Sequence, residues 1–196
     1  MSVRLFVSRD AASLAVGAEE VAQSLAAALR RRGIGFDLIR TGSRGLFWLE
    51  PLVEVETPAG RLGYGPLQPS DAEAVAVSIL AGGAPHPSLL GLVDEIPYLK
   101  QQTRLVFARS GTIDPLDLAA YRREGGYRGL AKALALDPAA VIETVTQSGL
   151  RGRGGAGFPA GIKWRTAAGA GGSQKYIVCN ADEGDSGTFA DRMLME

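Results

Sequence analysis

The stretch Ser148-Gly149-Leu150-Arg151-Gly152-Arg153-Gly154-Gly155-Ala156-Gly157-Phe158-Pro159 constrains this chain more than any other. Four glycines fall within residues 152–157, so the backbone there can approach a flat ring or a phosphate with no Cβ in the way. Consecutive exposed N–H groups in such a stretch form a nest for an anion. Arg151, Arg153 and Lys163 add positive charge on both sides, and Pro159 suits a helix start whose N-terminus faces the same anion. Residues 152–157 satisfy G-x-G-x-x-G, but they follow a predicted helix, and a dinucleotide fingerprint follows a strand. A P-loop fails as well, because Lys163-Trp164 does not complete Gly-Lys-Ser/Thr. Two readings stand: a phosphate or cofactor cradle of another type, or a flexible connector. A connector would be richer in serine and poorer in Phe and Trp, so composition favours the cradle.

A second segment follows. Tyr176-Ile177-Val178-Cys179 reads as a buried parallel strand, with Asn180-Ala181-Asp182-Glu183-Gly184-Asp185-Ser186-Gly187 directly after it. Ligands of open α/β sheets collect past the carboxyl ends of strands, and Asn and Asp can bond the hydroxyls of a sugar-like chain there. A plain turn is the bland alternative. A calcium loop lacks its terminal acid at the required position. Residues from Phe189 to Glu196 open an amphipathic helix with no stop signal, which suggests an incomplete domain truncated at its C-terminus.

Earlier in the chain, residues 3–7 read as a strand and residues 14–32 as a helix closed by Gly33, with Arg30, Arg31 and Arg32 at its dipole-favoured end. Residues 35–40 form a second strand, and Leu52–Thr57 and Arg61–Tyr64 flank Pro58-Ala59-Gly60 as a hairpin. Ser70 and Glu73 fit the N-cap and capping-box positions of a helix running to Leu80. The order is β-α-β-β-β-α. Gly and Pro crowd Ala81–Pro97, which reads as a joint. A strand is expected at Arg104–Ala108, and helices after Asp114-Pro115 and after Asp137-Pro138, the latter to about Gln147. The fold class is therefore α/β, with residues 1–82 as one domain, 83–97 as a linker and 98–196 as a second domain.

Composition removes several functions. Lys and Arg total 21 and Asp and Glu total 21, so no net field favours nucleic acid or an anionic membrane surface. No stretch approaches the length of apolar chain that spans a bilayer, and the N-terminus lacks a signal-peptide core, so a cytoplasmic protein is expected. One cysteine, Cys179, and one histidine, His86, cannot build a metal site by themselves, so no metal ligand is assigned. Cys179 reads as a small buried hydrophobe, and His86, between two prolines, as loop.

Ser148–Trp164 and Tyr176–Glu196, in that order, resemble the FMN-binding flavoprotein subunit of respiratory NADH:quinone oxidoreductase (complex I). The same module occurs in NAD-reducing hydrogenases and NAD-dependent formate dehydrogenases. Residues 184–196, Gly-Asp-Ser-Gly-Thr-Phe-Ala-Asp-Arg-Met-Leu-Met-Glu, are most similar to the beta (diaphorase) subunit of soluble molybdenum- or tungsten-containing formate dehydrogenases. The N-terminal domain resembles the thioredoxin-like [2Fe–2S] module found beside this flavoprotein, whose cluster sits on Cys-x4-Cys and Cys-x3-Cys. Ser8 and Ser13, then Ser43 and Phe47, stand at those positions, so the resemblance implies a domain without a cluster.

The resemblance further implies FMN as cofactor and NAD as substrate, with a [4Fe–4S] cluster only in a C-terminal part beyond Glu196. Gly152, Arg153, Gly154 and Gly155 would line the FMN, and Lys163 would offer a cation to the reduced ring or the phosphate. Asn180 and Asp182 would bind the ribityl or phosphate region, Glu183 would lie near the flavin–nicotinamide stack, and Phe158 and Asp185 near the incoming nucleotide. Glu183 and Lys163 are the catalytic candidates. Implied partners are an iron–sulfur gamma-type subunit and a molybdenum or tungsten catalytic subunit. A hydrogenase diaphorase, a complex I subunit or an inert assembly fragment are the alternatives.

Overall fold

Alternating apolar residues at the start of the chain build the sheet. In the computed structural model, which describes residues 2–196, β1 (Ser2–Ser8) runs parallel to β2 (Gly35–Thr41), with Leu5 opposite Leu38. The crossover between them is helical, formed by α1 (Ala11–Ala15) and α2 (Ala18–Arg31). Val21, Ala22, Leu25, Ala28 and Leu29 recur at helical spacing and bury the inner face of α2, while Glu19 and Glu20 open it and Arg30 and Arg31 close it in line with its dipole. β3 (Val53–Thr57) pairs antiparallel with β1 and, through a tight turn, with β4 (Gly60–Tyr64). α3 (Ala72–Leu80) returns over the sheet, and β5 (Leu89–Leu92) pairs antiparallel with β4. The sheet order is β2-β1-β3-β4-β5. A parallel βαβ unit followed by an antiparallel hairpin and a covering helix is the thioredoxin-like arrangement. Its core is the apolar face shared by Leu5, Val7, Leu25, Leu29, Val53, Val55, Tyr64 and Val75.

The remainder is helical: α4 (Pro97–Lys100), α5 (Leu118–Arg123), α6 (Arg128–Leu134), α7 (Pro138–Gln147), α8 (Ala160–Gly169) and α9 (Ala190–Met195). Contacts divide the chain into two compact units. One comprises the residues up to Tyr121 together with Ala181–Glu196, and the other Arg122–Asn180.

Several local expectations are corrected. The single helix over 14–32 is two, because Gly17 adopts φ +97°, a conformation that strains any residue with a Cβ, and Asp10 caps the first piece by accepting the Ser13 N–H at 2.7 Å. Ser70 and Glu73 do not cap α3. The Gln68 N–H donates to Asp71 Oδ2 at 2.7 Å instead, and Glu73 pairs with Arg31 and Arg32. The joint at Ala81–Pro97 contains β5, which escapes notice because it is short and interrupted by Gly91. Arg104–Ala108 is irregular and turn-like, pairs with no strand, and leaves Leu105 and Val106 exposed. The helix expected at Pro115 begins at Leu118. Tyr176–Cys179 is irregular and exposed, since the unit that holds it contains no strand to pair with, and Cys179 is exposed with it.

One buried ionic network braces the first unit. Glu54 on β3 is 3% exposed. It accepts two hydrogen bonds from Arg44, Nε to Oε1 and Nη2 to Oε2, both at 2.8 Å, and one from Arg61 Nη1 at 3.1 Å. Arg61 also stacks on Phe6, with Cζ 3.4 Å from the ring centroid, and donates to the carbonyls of Gly111 and Thr112. Removing one member of such a network strands the others in a dry site, at about 3–5 kcal/mol. Glu54→Gln is therefore expected to lower the urea midpoint of the first unit, whereas Glu56→Gln, at the surface pair with Arg4, leaves it within error.

Candidate functional site

The glycine-rich loop is closed at its base by backbone bonds. The Gly152 N–H donates to the Phe158 carbonyl at 2.8 Å and the Ala160 N–H to the Leu150 carbonyl at 2.9 Å, with Arg151 and Pro159 forming an isolated antiparallel bridge. Residues 153–156 between them are exposed. Gly155 and Gly157 sit at φ +94° and +60°, so the turn itself demands glycine at these two positions. A Cβ at Gly154 or Gly155 would meet nothing within 4 Å, so the open side of the loop belongs to no other part of the described chain.

Positive charge gathers at this loop. Lys163 lies on the first turn of α8, and a Cβ on Gly152 would lie 3.8 Å from Lys163 Nζ, which is itself 5.7 Å from the Phe158 ring centroid. Arg151 Nε donates to the Gly157 carbonyl at 2.5 Å, and Arg153 Nη1 to the Arg151 carbonyl at 2.8 Å. Among the described residues none of Arg151, Arg153 and Lys163 has a carboxylate partner. Pro159 stands at the N-cap position of α8 with an extended backbone and no side-chain capping bond, and the following N–H groups lie at the positive end of the helix. Three uncompensated cations, a glycine turn and a helix N-terminus fit a phosphate-bearing planar cofactor. Gly152, Phe158 and Lys163 are thus brought together. Trp164 and Phe158 are both about half exposed rather than packed into a core.

Sequence reasoning missed the residue that sets the angle of α8. A Cβ on Gly161 would lie 2.3 Å from Thr146 Oγ1 and 2.7 Å from Thr146 Cα, so α7 and α8 touch backbone to backbone there. A lone glycine in the first turn of a predicted helix was the available signal.

Asn180 closes the second unit, while Asp182, Glu183 and Asp185 belong to the first. Asn180 and Asp185 are exposed. Glu183 serves a specific local purpose. Its Oε1 accepts the Asp191 N–H at 2.6 Å and its Oε2 the Arg192 N–H at 3.2 Å, capping α9 from a backbone φ of +46°.

The positions compared with cluster cysteines are wound into the first unit. Ser8, Ser13 and Ser43 are buried. Ser8 Oγ accepts the Asp10 N–H at 3.3 Å, and Ser43 Oγ donates to Glu50 Oε1 at 3.0 Å while accepting the Gly45 N–H. The ring of Phe47 meets Phe189 edge-on at 5.3 Å. Burial pushes the Glu50 carboxyl above its ordinary value, against the opposing pull of the Leu52 N–H and the Ser43 hydroxyl, and the nearby Asp10 adds to the rise.

Residues 145–196 match the family model described as Nuo51 FMN-binding domain. Among individual proteins, the chain is 54% identical over 97 residues to the NADP-reducing hydrogenase subunit HndC of Solidesulfovibrio fructosivorans, covering 50% of this chain and 20% of that one. It is 55% identical over 80 residues to an NADH-quinone oxidoreductase subunit of Rhizobium meliloti, covering 40% and 19%. With the NAD-reducing hydrogenase HoxS subunit alpha of Cupriavidus necator it shares 58% over 66 residues, covering 34% and 11%. The chain spans a fifth or less of the length of these relatives.

Two outcomes follow from this geometry. Gly161→Ala forces α7 and α8 apart, an overpacking cost of about 1–3 kcal/mol, and limited proteolysis is expected to cut the second unit faster while the first stays protected. Glu50 binds its proton more tightly folded than unfolded. Its contribution is therefore intact below the ordinary carboxylate value of 4.5 and lost as pH rises through the folded-state value. Melting curves of Glu50→Gln are expected to fall less steeply than wild type from mildly acidic to neutral pH.

Proposed function

We propose that the second unit contributes the FMN cradle of an electron-transfer flavoprotein subunit, which exchanges hydride between NAD(H) and FMN and passes single electrons to iron–sulfur clusters. The observation that carries this reading is the cation set of Arg151, Arg153 and Lys163, left without carboxylates around a glycine turn at the start of α8. The names of the matched family and relatives support it.

Bound FMN would supply the redox chemistry, accepting two electrons as hydride and releasing them singly. Gly152, Arg153, Gly154 and Gly155 would line it, because a backbone free of Cβ atoms lets a planar ring approach. Lys163 would hold positive charge beside the phosphate or the reduced ring. Asn180 and Asp182 are assigned to the ribityl or phosphate region, and Phe158 and Asp185 to the nucleotide. Glu183 is assigned to the flavin–nicotinamide stack.

The finer reading places the chain in an NAD-dependent formate dehydrogenase, with an iron–sulfur gamma-type subunit and a molybdenum or tungsten subunit as partners in the cytoplasm. Residues 184–196 support that choice. The alternative is hydrogen as the electron source, favoured by the two hydrogenase subunits among the relatives. Formate-dependent against hydrogen-dependent NAD+ reduction by the purified complex separates them. The serines at the cluster-cysteine positions support a structural N-terminal domain without iron.

Lys163→Ala removes a charge-assisted contact, so flavin content measured by absorbance is expected to drop, with affinity weakened about tenfold or more. Glu183→Gln is expected to slow NADH-dependent dye reduction with flavin retained. If both variants keep wild-type flavin content and rate, the site assignment is wrong.

A further inference from the structure

Outside the glycine loop, the first unit carries a concavity of about 320 Å³ walled by Phe47, Trp48, Tyr98, Phe107 and Phe189. A space of this size suits a small ligand. Trp48 and Tyr98 meet edge-on at 5.0 Å and are 57% and 48% exposed, so two large aromatic faces stand at the opening without cover. Such faces are normally buried or used.

The charges around this space are one-sided. Arg44 and Arg104 line it, and among the described residues no acidic side chain does. Arg44 is paired with Glu54, which it shares with Arg61, and with Asp94 at 3.6 Å. Arg104 is not: its Nε donates to Gln102 at 3.0 Å and its Nη2 to the Arg44 carbonyl at 2.8 Å, both neutral acceptors, and its Nη1 is buried without a partner. Burial and the neighbouring Arg44 both weaken the hold of Arg104 on its proton. A partly buried cation that shares this lining with aromatic rings, and whose hydrogen-bond acceptors are neutral, adds a positive potential to the concavity. The element missing from this arrangement is a negative charge.

We infer that this concavity binds a small planar aromatic anion, its ring against Trp48 and Tyr98 and its carboxylate or phosphate toward Arg104. The inference stands apart from the flavin reading, because none of these residues is among those assigned to FMN or the nucleotide.

Calorimetric titration of the whole chain with 2-naphthoate tests it, beside 2-naphthamide as the uncharged isostere and inorganic phosphate as the ringless anion. Saturable one-site binding of naphthoate is expected, at least tenfold tighter than either control. Adenosine monophosphate, run in parallel, separates a phosphate-bearing ligand from a carboxylate. In Arg104→Gln the preference for naphthoate over naphthamide should disappear, and in Trp48→Leu both should weaken together. Equal binding of naphthoate and naphthamide by the wild-type chain, or no saturable binding of either aromatic anion, overturns the proposal even if the variants fail to fold.

Discussion

The buried carboxylate of Glu54 is the point at which the ionic network of the first unit converges. It sits on the central part of the sheet and holds two guanidiniums, from the loop after β2 and from β4. Through those arginines it reaches further. Arg61 stacks on Phe6 and holds the carbonyls of Gly111 and Thr112, and the Arg44 backbone receives Arg104. A stretch of chain with no regular structure, residues 102–112, is thereby fastened to a sheet it does not join. A network of this kind adds little net stability over an apolar core of equal volume, but removing one member leaves the others buried and unpaired.

The same pairing explains the charge pattern near the aromatic concavity. Glu54 satisfies Arg44 and Arg61 and leaves Arg104 with neutral partners alone. The second unit shows the mirror case. Three cations without acids, Arg151 and Arg153 at the glycine turn and Lys163 on α8, stand on a frame braced by the contact of Gly161 with Thr146. Structure in both places supplies position first and leaves charge for something else to complete.

Glu183 illustrates how one residue can carry a functional expectation and a structural duty together. Its two oxygens cap α9, so the acidic segment is shaped by the helix that follows it, and not by a preceding strand. The expected strand at Tyr176–Cys179 needs a ladder partner, which its unit does not contain. Apolar content alone could not reveal that, because a buried strand and an exposed apolar run are written in the same letters.

Periodicity and turn chemistry determined the β-α-β-β-β-α order, the position of α7 and the glycine turn at residues 152–157, since those follow from neighbours a few residues apart. The break at Gly17 and the Gln68–Asp71 cap lie within the same short range, and only the stronger-looking signals beside them hide them. Tertiary structure alone decided that β5 extends the sheet, that residues 104–108 turn away from it, and that Glu54 gathers two arginines while Arg104 goes unmatched. The physical reason is that strand pairing and charge pairing join residues far apart in the chain. Whether a partner exists is a property of the folded neighbourhood, which no local pattern encodes.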